Sequence, residues 1–164
     1  MEKHAAQDAV ILIPSLEPDG RLPAYIRRLK EGGFARIVVV DDGSTESYQP
    51  IFREIEEVED TTVLHHEVNK GKGIALKTGY RWILENLTDK ISGVITADAD
   101  GQHTVPDCIH LAEELEKENL VWDKYAFCFT AKFYGSRIVA GTYSLDSSMK
   151  PKEILDVLGA GPGG

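Results

Sequence analysis

Between residues 9 and 118, short apolar runs alternate with stretches in which apolar residues recur every three or four positions. The runs at 10–13 and 37–40 are rich in Val and Ile and too short for helices. They predict central parallel strands covered on both faces. Leu22, Tyr25, Ile26 and Leu29 fall between them at helical spacing, and Gly32-Gly33 supplies the stop. Ser44 and Thr45 are placed to cap a second helix through Ile51, Phe52, Ile55 and Val58, after which residues 61–65 form a third strand. The longest predicted helix covers 73–87, with Ile74, Leu76, Tyr80, Ile83, Leu84 and Leu87 along its stripe, and it feeds a strand at 93–96. Val105-Pro106-Asp107 opens a last helix with Ile109, Ala112 and Leu115 facing inward. The fold class implied is α/β: a three-layer, doubly wound, mostly parallel sheet, incomplete at the C-terminus, with its ligand crevice at the carboxyl ends of the strands.

Past residue 118 the periodicity fades. Residues 121–133 are aromatic enough for a strand, 135–150 show no clear period, and the glycine-rich stretch 159–164 cannot be a packed element. The expected division is an ordered α/β half, 1–118, and an atypical, poorly ordered segment, 119–164. A length of 164 residues with 42% hydrophobic content suits one domain with a sizeable core. The formal net charge of −9 argues against nucleic acid as a partner, so phosphate recognition has to be local. Cys108 and Cys128 have no metal-site or framework spacing and read as reduced thiols, which together with the absence of any apolar run near ~20 residues predicts a cytoplasmic chain without a membrane span.

The chemistry is concentrated at the predicted strand ends. Asp98-Ala99-Asp100-Gly101-Gln102-His103 follows the fourth strand, and strand alternation would send Asp98 and Asp100 to one side as two hard oxygen ligands for a divalent cation. An ordinary turn accounts for the same residues. Three more polar loops share this edge: Pro14-Ser15-Leu16-Glu17-Pro18-Asp19, Asp41-Asp42-Gly43-Ser44 and Asn69-Lys70-Gly71-Lys72-Gly73. Such an edge suits a nucleoside diphosphate, with carboxylates for ribose and base, a helix N-terminus and Lys for phosphate, and a metal for the remaining charge. Asp41 and Asp42 also fit a turn or helix cap, and Lys70, Lys72 and Lys77 a solvated face. The stretch 71–78 falls short of a triphosphate-binding loop because Leu76 stands where the second glycine belongs. His65 and His66 should end a strand with one ring inward and one outward. His103 is placed either to reach a phosphate or metal or to brace the turn. Trp82 and Trp122 read as packing residues.

Together these segments resemble the family-2 glycosyltransferases of the glycosyltransferase-A type over residues 9–118. The segment Val38-Val39-Val40-Asp41-Asp42-Gly43-Ser44-Thr45 looks like the family's strand and acidic turn, Asn69 to Gly79 like its glycine-rich helix opening, and Asp98 to His103 like its metal motif as polyprenyl-phosphate sugar transferases write it. The resemblance implies donor contacts at Pro14, Ser15, Glu17, Asp41, Asp42, Lys70, Gly71, Lys72, Asp98, Ala99 and Asp100, and Mg2+ or Mn2+ held by Asp98, Asp100 and Gln102. It implies inverting, hexosyltransferase-type transfer from a nucleotide-diphosphate sugar to a polyprenyl phosphate or a glycan, by a protein peripheral at the inner face of the membrane. Two departures stand out. The first loop reads Pro-Ser-Leu-Glu-Pro where many members have Pro-Ala-Tyr-Asn-Glu. No Asp-Thr-Gln-Thr-Gly-like segment or Gln-x-x-Arg-Trp is present, so the catalytic base is unassigned, and Gly135-Ser136-Arg137 comes too late to be the family's Gly-Ser-Arg. The expectation is a truncated chain whose reading frame changes near Asn119. The alternatives are a catalytically incomplete nucleotide-binding module and a nucleotidyltransferase, although the latter needs a basic glycine-rich loop where this chain has Glu17-Pro18-Asp19.

Overall fold

The computed structural model describes residues 5–87, 91–117, 125–134 and 137–146, with positions 114 and 117 and the last two stretches described as backbone only. Seven-residue β1 (Ala9–Ser15) sits mid-sheet, flanked by β2 (Arg36–Asp41) and β4 (Gly93–Thr96), and β3 (Thr61–His65) lies outside β2. All of these pairings are parallel, as is that of β4 with β5 (Tyr125–Tyr134), while β6 (Arg137–Asp146) runs antiparallel to β5. The order is β3-β2-β1-β4-β5-β6. From β1 the chain winds first toward β3 and then back past β1 to β4, which makes the β1/β4 boundary the point where a doubly wound sheet opens a crevice.

Strand alternation divides the core in two. Ile11, Ile13, Ile37, Val39 and Ile95 face a layer built from α1 (Ala5–Asp8), α2 (Arg21–Glu31), α3 (Gln49–Glu56) and α5 (Val105–Lys117). Val10, Leu12, Val38, Val40 and Val94 face α4 (Lys72–Asn86). Because β1 and β2 are buried on both faces, neither can show a polar alternation, which explains their continuous apolar runs. α2 buries Leu22, Tyr25, Ile26 and Leu29 and ends at Gly32 and Gly33, the latter at φ 104°. α4 settles directly onto β1 at Gly79, where a Cβ would run into Leu12 Cδ1. That close seat fixes the height of the α4 N-terminus above the strand ends.

Several expectations change. Neither Ser44 nor Thr45 caps α3: a 3-10 turn (Glu46–Tyr48) intervenes, and the Ser44 hydroxyl instead accepts the Glu17 N–H at 2.8 Å. Ile74, expected along the α4 stripe, is 43% exposed and belongs to neither core cluster. β6 forms within the stretch that lacks an apolar period, since its pairing with β5 is made by backbone hydrogen bonds, to which side-chain period is no guide. Trp122, the glycine-rich 159–164 and the expectations for 119–124 and 147–164 lie outside the described residues.

Candidate functional site

At the β1/β4 boundary the strand ends enclose a cavity of about 310 Å³. The end of β1 contributes Pro14, Ser15 and Leu16, and the turn after β2 contributes Asp42. Asn69, Gly71, Lys72 and Ala75 come from the loop and first turn of α4, and Asp98 from the turn after β4. Parallel strands make this convergence unavoidable, because every loop that follows a strand leaves the sheet on the same edge.

The β2 and β3 ends form a dense, closed network. Parallel register sets Asp41 beside His65, and the ladder continues with His66 N–H donating to Asp41 O at 2.8 Å. The Asp41 carboxylate is buried, accepting from Ser44 N at 2.9 Å, Gln49 Nε2 at 3.1 Å and His65 Nδ1 at 2.9 Å. Burial alone would raise its pKa. The hydrogen bonds from His65, Gln49 and Ser44 outweigh that and hold it below the ordinary value. Burial likewise works against a charge on His65, but its bonds to Asp41 and Glu56 prevail and hold its pKa above the ordinary value. One position on, the Asp42 carboxylate accepts His66 Nδ1 at 2.9 Å, Lys70 N at 2.8 Å and Gly71 N at 2.9 Å. His66 Nε2 lies 2.8 Å from Thr78 Oγ1 on α4. Gly43, at φ 78°, is pressed so closely against the Val68–Asn69 backbone that any Cβ would collide with it.

The acidic turn is built differently. β4 ends at Thr96, so Asp98 and Asp100 belong to a turn closed by Gly101 N–H on Asp98 O, and turn geometry rather than strand alternation sets their directions. Asp98 is one-third exposed and takes Lys72 Nζ at 2.9 Å. Asp100 is exposed, its Oδ1 accepting the Gln102 N–H at 3.0 Å. His103 braces the turn: its Nδ1 accepts the Asp98 N–H at 3.0 Å, while its carbonyl accepts the Tyr25 hydroxyl. Burial drives the Tyr25 pKa far above its ordinary value and pushes the neighbouring Cys108 thiol up to about 11, so both stay neutral fittings of the α2–α5 seam.

Of the residues singled out in the sequence, Pro14, Ser15, Asp42, Gly71, Lys72 and Asp98 meet at the cavity. Asp41 sits behind it as scaffold, while Glu17, Lys70, Ala99, Asp100 and Gln102 stand outside its lining. Glu17 is held at φ 50° with its N–H on Ser44, and Lys70 contributes its backbone N–H to the Asp42 clamp. The lining also includes Leu16, Asn69 and Ala75, and behind it stand His66 and Thr78. Asn69 and Ala75 belong to the glycine-rich segment and were open to inference from it. Thr78 carried no local signal beyond membership of that segment.

Among the described residues, no group of three His, Cys, Asp or Glu side chains is assembled around a common point. The Asp98–Asp100–Gln102 set is nevertheless chemically suited to a hard cation that completes its shell with phosphate and water oxygens. The Lys72 ammonium, drawn to Asp98, shows that this carboxylate is presented to positive charge beside the cavity.

The family model for glycosyl transferase family 2 matches residues 11–159, which takes in all four strand-end loops. An uncharacterized protein of Methanocaldococcus jannaschii is 36% identical over 59% of this chain. A UDP-N-acetylglucosamine--dolichyl-phosphate N-acetylglucosaminyltransferase of Methanococcus voltae is 29% identical over 59% of this chain. These matches cover 37% and 43% of the relatives, so the chain spans about two fifths of their length. Among solved structures, S. aureus TarS 1-349 is similar at a TM-score of 0.46 and 19% identity, over 65% of this chain and 32% of that one. With the family model matching most of its length, the chain belongs to glycosyl transferase family 2.

Proposed function

We propose that this chain holds the nucleotide-diphosphate sugar donor of an inverting, metal-dependent glycosyltransferase, with Mg2+ or Mn2+ as cofactor. The observation that carries the reading is the meeting of the α4 N-terminus, Lys72 and the Asp98 carboxylate around one cavity at the sheet's switch point. The unpaired N–H groups and positive dipole end of a 15-residue helix favour a diphosphate there, and Lys72 adds a mobile positive charge. Pro14, Ser15, Leu16 and Asn69 form the wall left for base and ribose. Asp98, Asp100 and Gln102 would hold the metal, which supplies Lewis-acid stabilisation of the departing diphosphate when bound.

The acceptor we assign is a polyprenyl phosphate, with a glycan as the alternative. The Methanococcus voltae relative's name supports the phosphate. An acceptor phosphate is already anionic and needs little help from a general base. No helix among the described residues is long and apolar enough to cross a membrane. Such an acceptor would bring the protein to the inner membrane face as a peripheral partner.

Calorimetric titration of the purified chain with UDP and with GDP, each with and without Mn2+, tests the donor reading. Binding that requires Mn2+ and is lost in Asp98→Asn is expected. Equal binding in a chelator would remove the metal, and no binding of either nucleotide would remove the donor. The alternative reading is a donor-binding unit without transfer. Release of sugar from UDP-N-acetylglucosamine, with and without a polyprenyl phosphate, separates the two.

A further inference from the structure

We propose that His66 is a positioning residue for the donor site: it holds the Asp42 carboxylate in the orientation that clamps the glycine-rich loop and thereby sets Lys72 at the cavity. The inference rests on the donor reading above and adds to it a residue that touches neither the cavity nor the metal turn.

The geometry runs from α4 back to α4 through β3 and β2. Thr78, in the second turn of α4, holds its Oγ1 3.0 Å from Ile74 O and 2.8 Å from His66 Nε2. Across the ring, Nδ1 lies 2.9 Å from Asp42 Oδ1. A carboxylate only accepts, so Nδ1 carries the hydrogen in this contact. The two oxygens of Asp42 also take the Lys70 and Gly71 N–H groups at 2.8 and 2.9 Å. Gly71 is the N-cap of α4, at φ 95° and ψ 155°, and Lys72 is the first helical residue. The His66 and Asp42 side chains are 7% and 5% exposed, so water cannot replace a lost partner cheaply. A carboxylate holding two backbone amides on a freely rotating Cβ–Cγ bond would sample several orientations. A third bond, from a ring pinned at its far nitrogen to the helix being positioned, leaves one. Lys72 is itself 63% exposed with a single ion pair among the described residues, so the placement of its stem depends on this backbone clamp.

The imidazole has two functions that substitutions separate. The amide nitrogen of Asn can stand near Nδ1, keeping the bond to Asp42, whereas that of Gln stands near Nε2 and keeps only the bond to Thr78. Amide hydrogen exchange at Lys70 and Gly71 and calorimetric affinity for UDP with Mn2+ are measured on the full chain for wild type, His66→Leu, His66→Asn and His66→Gln. Exchange at both amides is expected to accelerate about tenfold in His66→Leu and His66→Gln, with affinity falling about tenfold, while His66→Asn stays within about threefold of wild type. Thr78→Val leaves the Asp42 contact and removes only its anchor, and serves as a milder variant should His66→Leu fail to fold. A smaller acceleration at the same two amides is expected. Unchanged exchange in His66→Leu, or equal losses in the Asn and Gln variants, would reduce His66 to packing and overturn the proposal. Failure of the wild type to bind nucleotide would instead overturn the donor reading, and the exchange data would still decide whether the clamp exists.

Discussion

Two acidic pairs flank the same cavity, and their surroundings are opposite. Asp41 and Asp42, at the end of β2, are 1% and 4% exposed and take three hydrogen bonds each from backbone amides, Gln49 and two histidines. Asp98 and Asp100, after β4, are partly or fully open and, among the described residues, their carboxylates carry one bond apiece, from Lys72 and the Gln102 N–H. A buried carboxylate with its lone pairs committed is part of the frame, because releasing it to a ligand would strand several buried donors. An open carboxylate with spare lone pairs can accept a cation at little structural cost. The same residue type thus belongs to the frame on one side of the cavity and keeps uncommitted lone pairs on the other.

The largest effect expected from this contrast is at Asp42. Asp42→Asn puts an NH2 group against donors on one side of the carboxylate site, and loss of stability of about 3 kcal/mol is expected in urea titration. An unchanged midpoint would mean that Asp42 is not a frame residue and that its part in the cavity is ligand contact alone. Asp98→Asn should do the reverse. Its ion pair is exposed, so stability should change by less than about 1 kcal/mol, while the Mn2+-dependent affinity for UDP should drop at least about tenfold in calorimetry. Asp100→Asn should follow the same course with a smaller loss, since Asp100 stands outside the cavity lining.

Ser15 is an intermediate case. It is buried, it lines the cavity, and its Oγ has no hydrogen-bond partner among the described residues. Ser15→Ala should leave stability unchanged or raise it by up to about 1 kcal/mol, because no internal bond is lost, while lowering nucleotide affinity severalfold. A fall in stability would place Ser15 with the frame instead.

The smallest effect concerns the Asp41–His65 pair and is read by pH. The Asp41 pKa is depressed in the folded protein, so its contribution is present above the unfolded carboxylate value and lost as pH falls through the folded one. The His65 pKa is raised, so its contribution is full below the unfolded imidazole value and lost as pH rises through the folded one. The pair therefore helps most between about pH 4 and 6.5. With His65 41% exposed, solvent screening limits the gain to less than about 1 kcal/mol. The Tm difference between wild type and His65→Gln should be widest in that window and shrink above it, and a flat difference would count against the pair.

The strands and main helices were legible because their signals are local. β3 and β4 coincide with the strands expected at 61–65 and 93–96, β1 and β2 contain the apolar runs at 10–13 and 37–40, and α2 and α5 follow their helical stripes, since burial on a sheet face or along a helix stripe leaves its mark in consecutive residues. The four loops were also recognisable as one edge, because parallel strands compel it. The partners of each carboxylate were not. Asp41 and Asp42 stand 24 residues from His65 and His66, and they meet only because β2 and β3 pair in one register. A shift of that register by one residue would break both pairings and turn inward groups outward. Likewise, Asp98 became a partly exposed turn residue because β4 stops at Thr96, and Tyr25 reached the His103 carbonyl because α2 and the acidic turn pack across 78 positions of chain. Local composition specifies what a segment tends to form and which polar groups it carries. Whether a carboxylate is spent on the frame or left for a ligand is decided by distant donors, and these are brought to it only when the sheet is assembled.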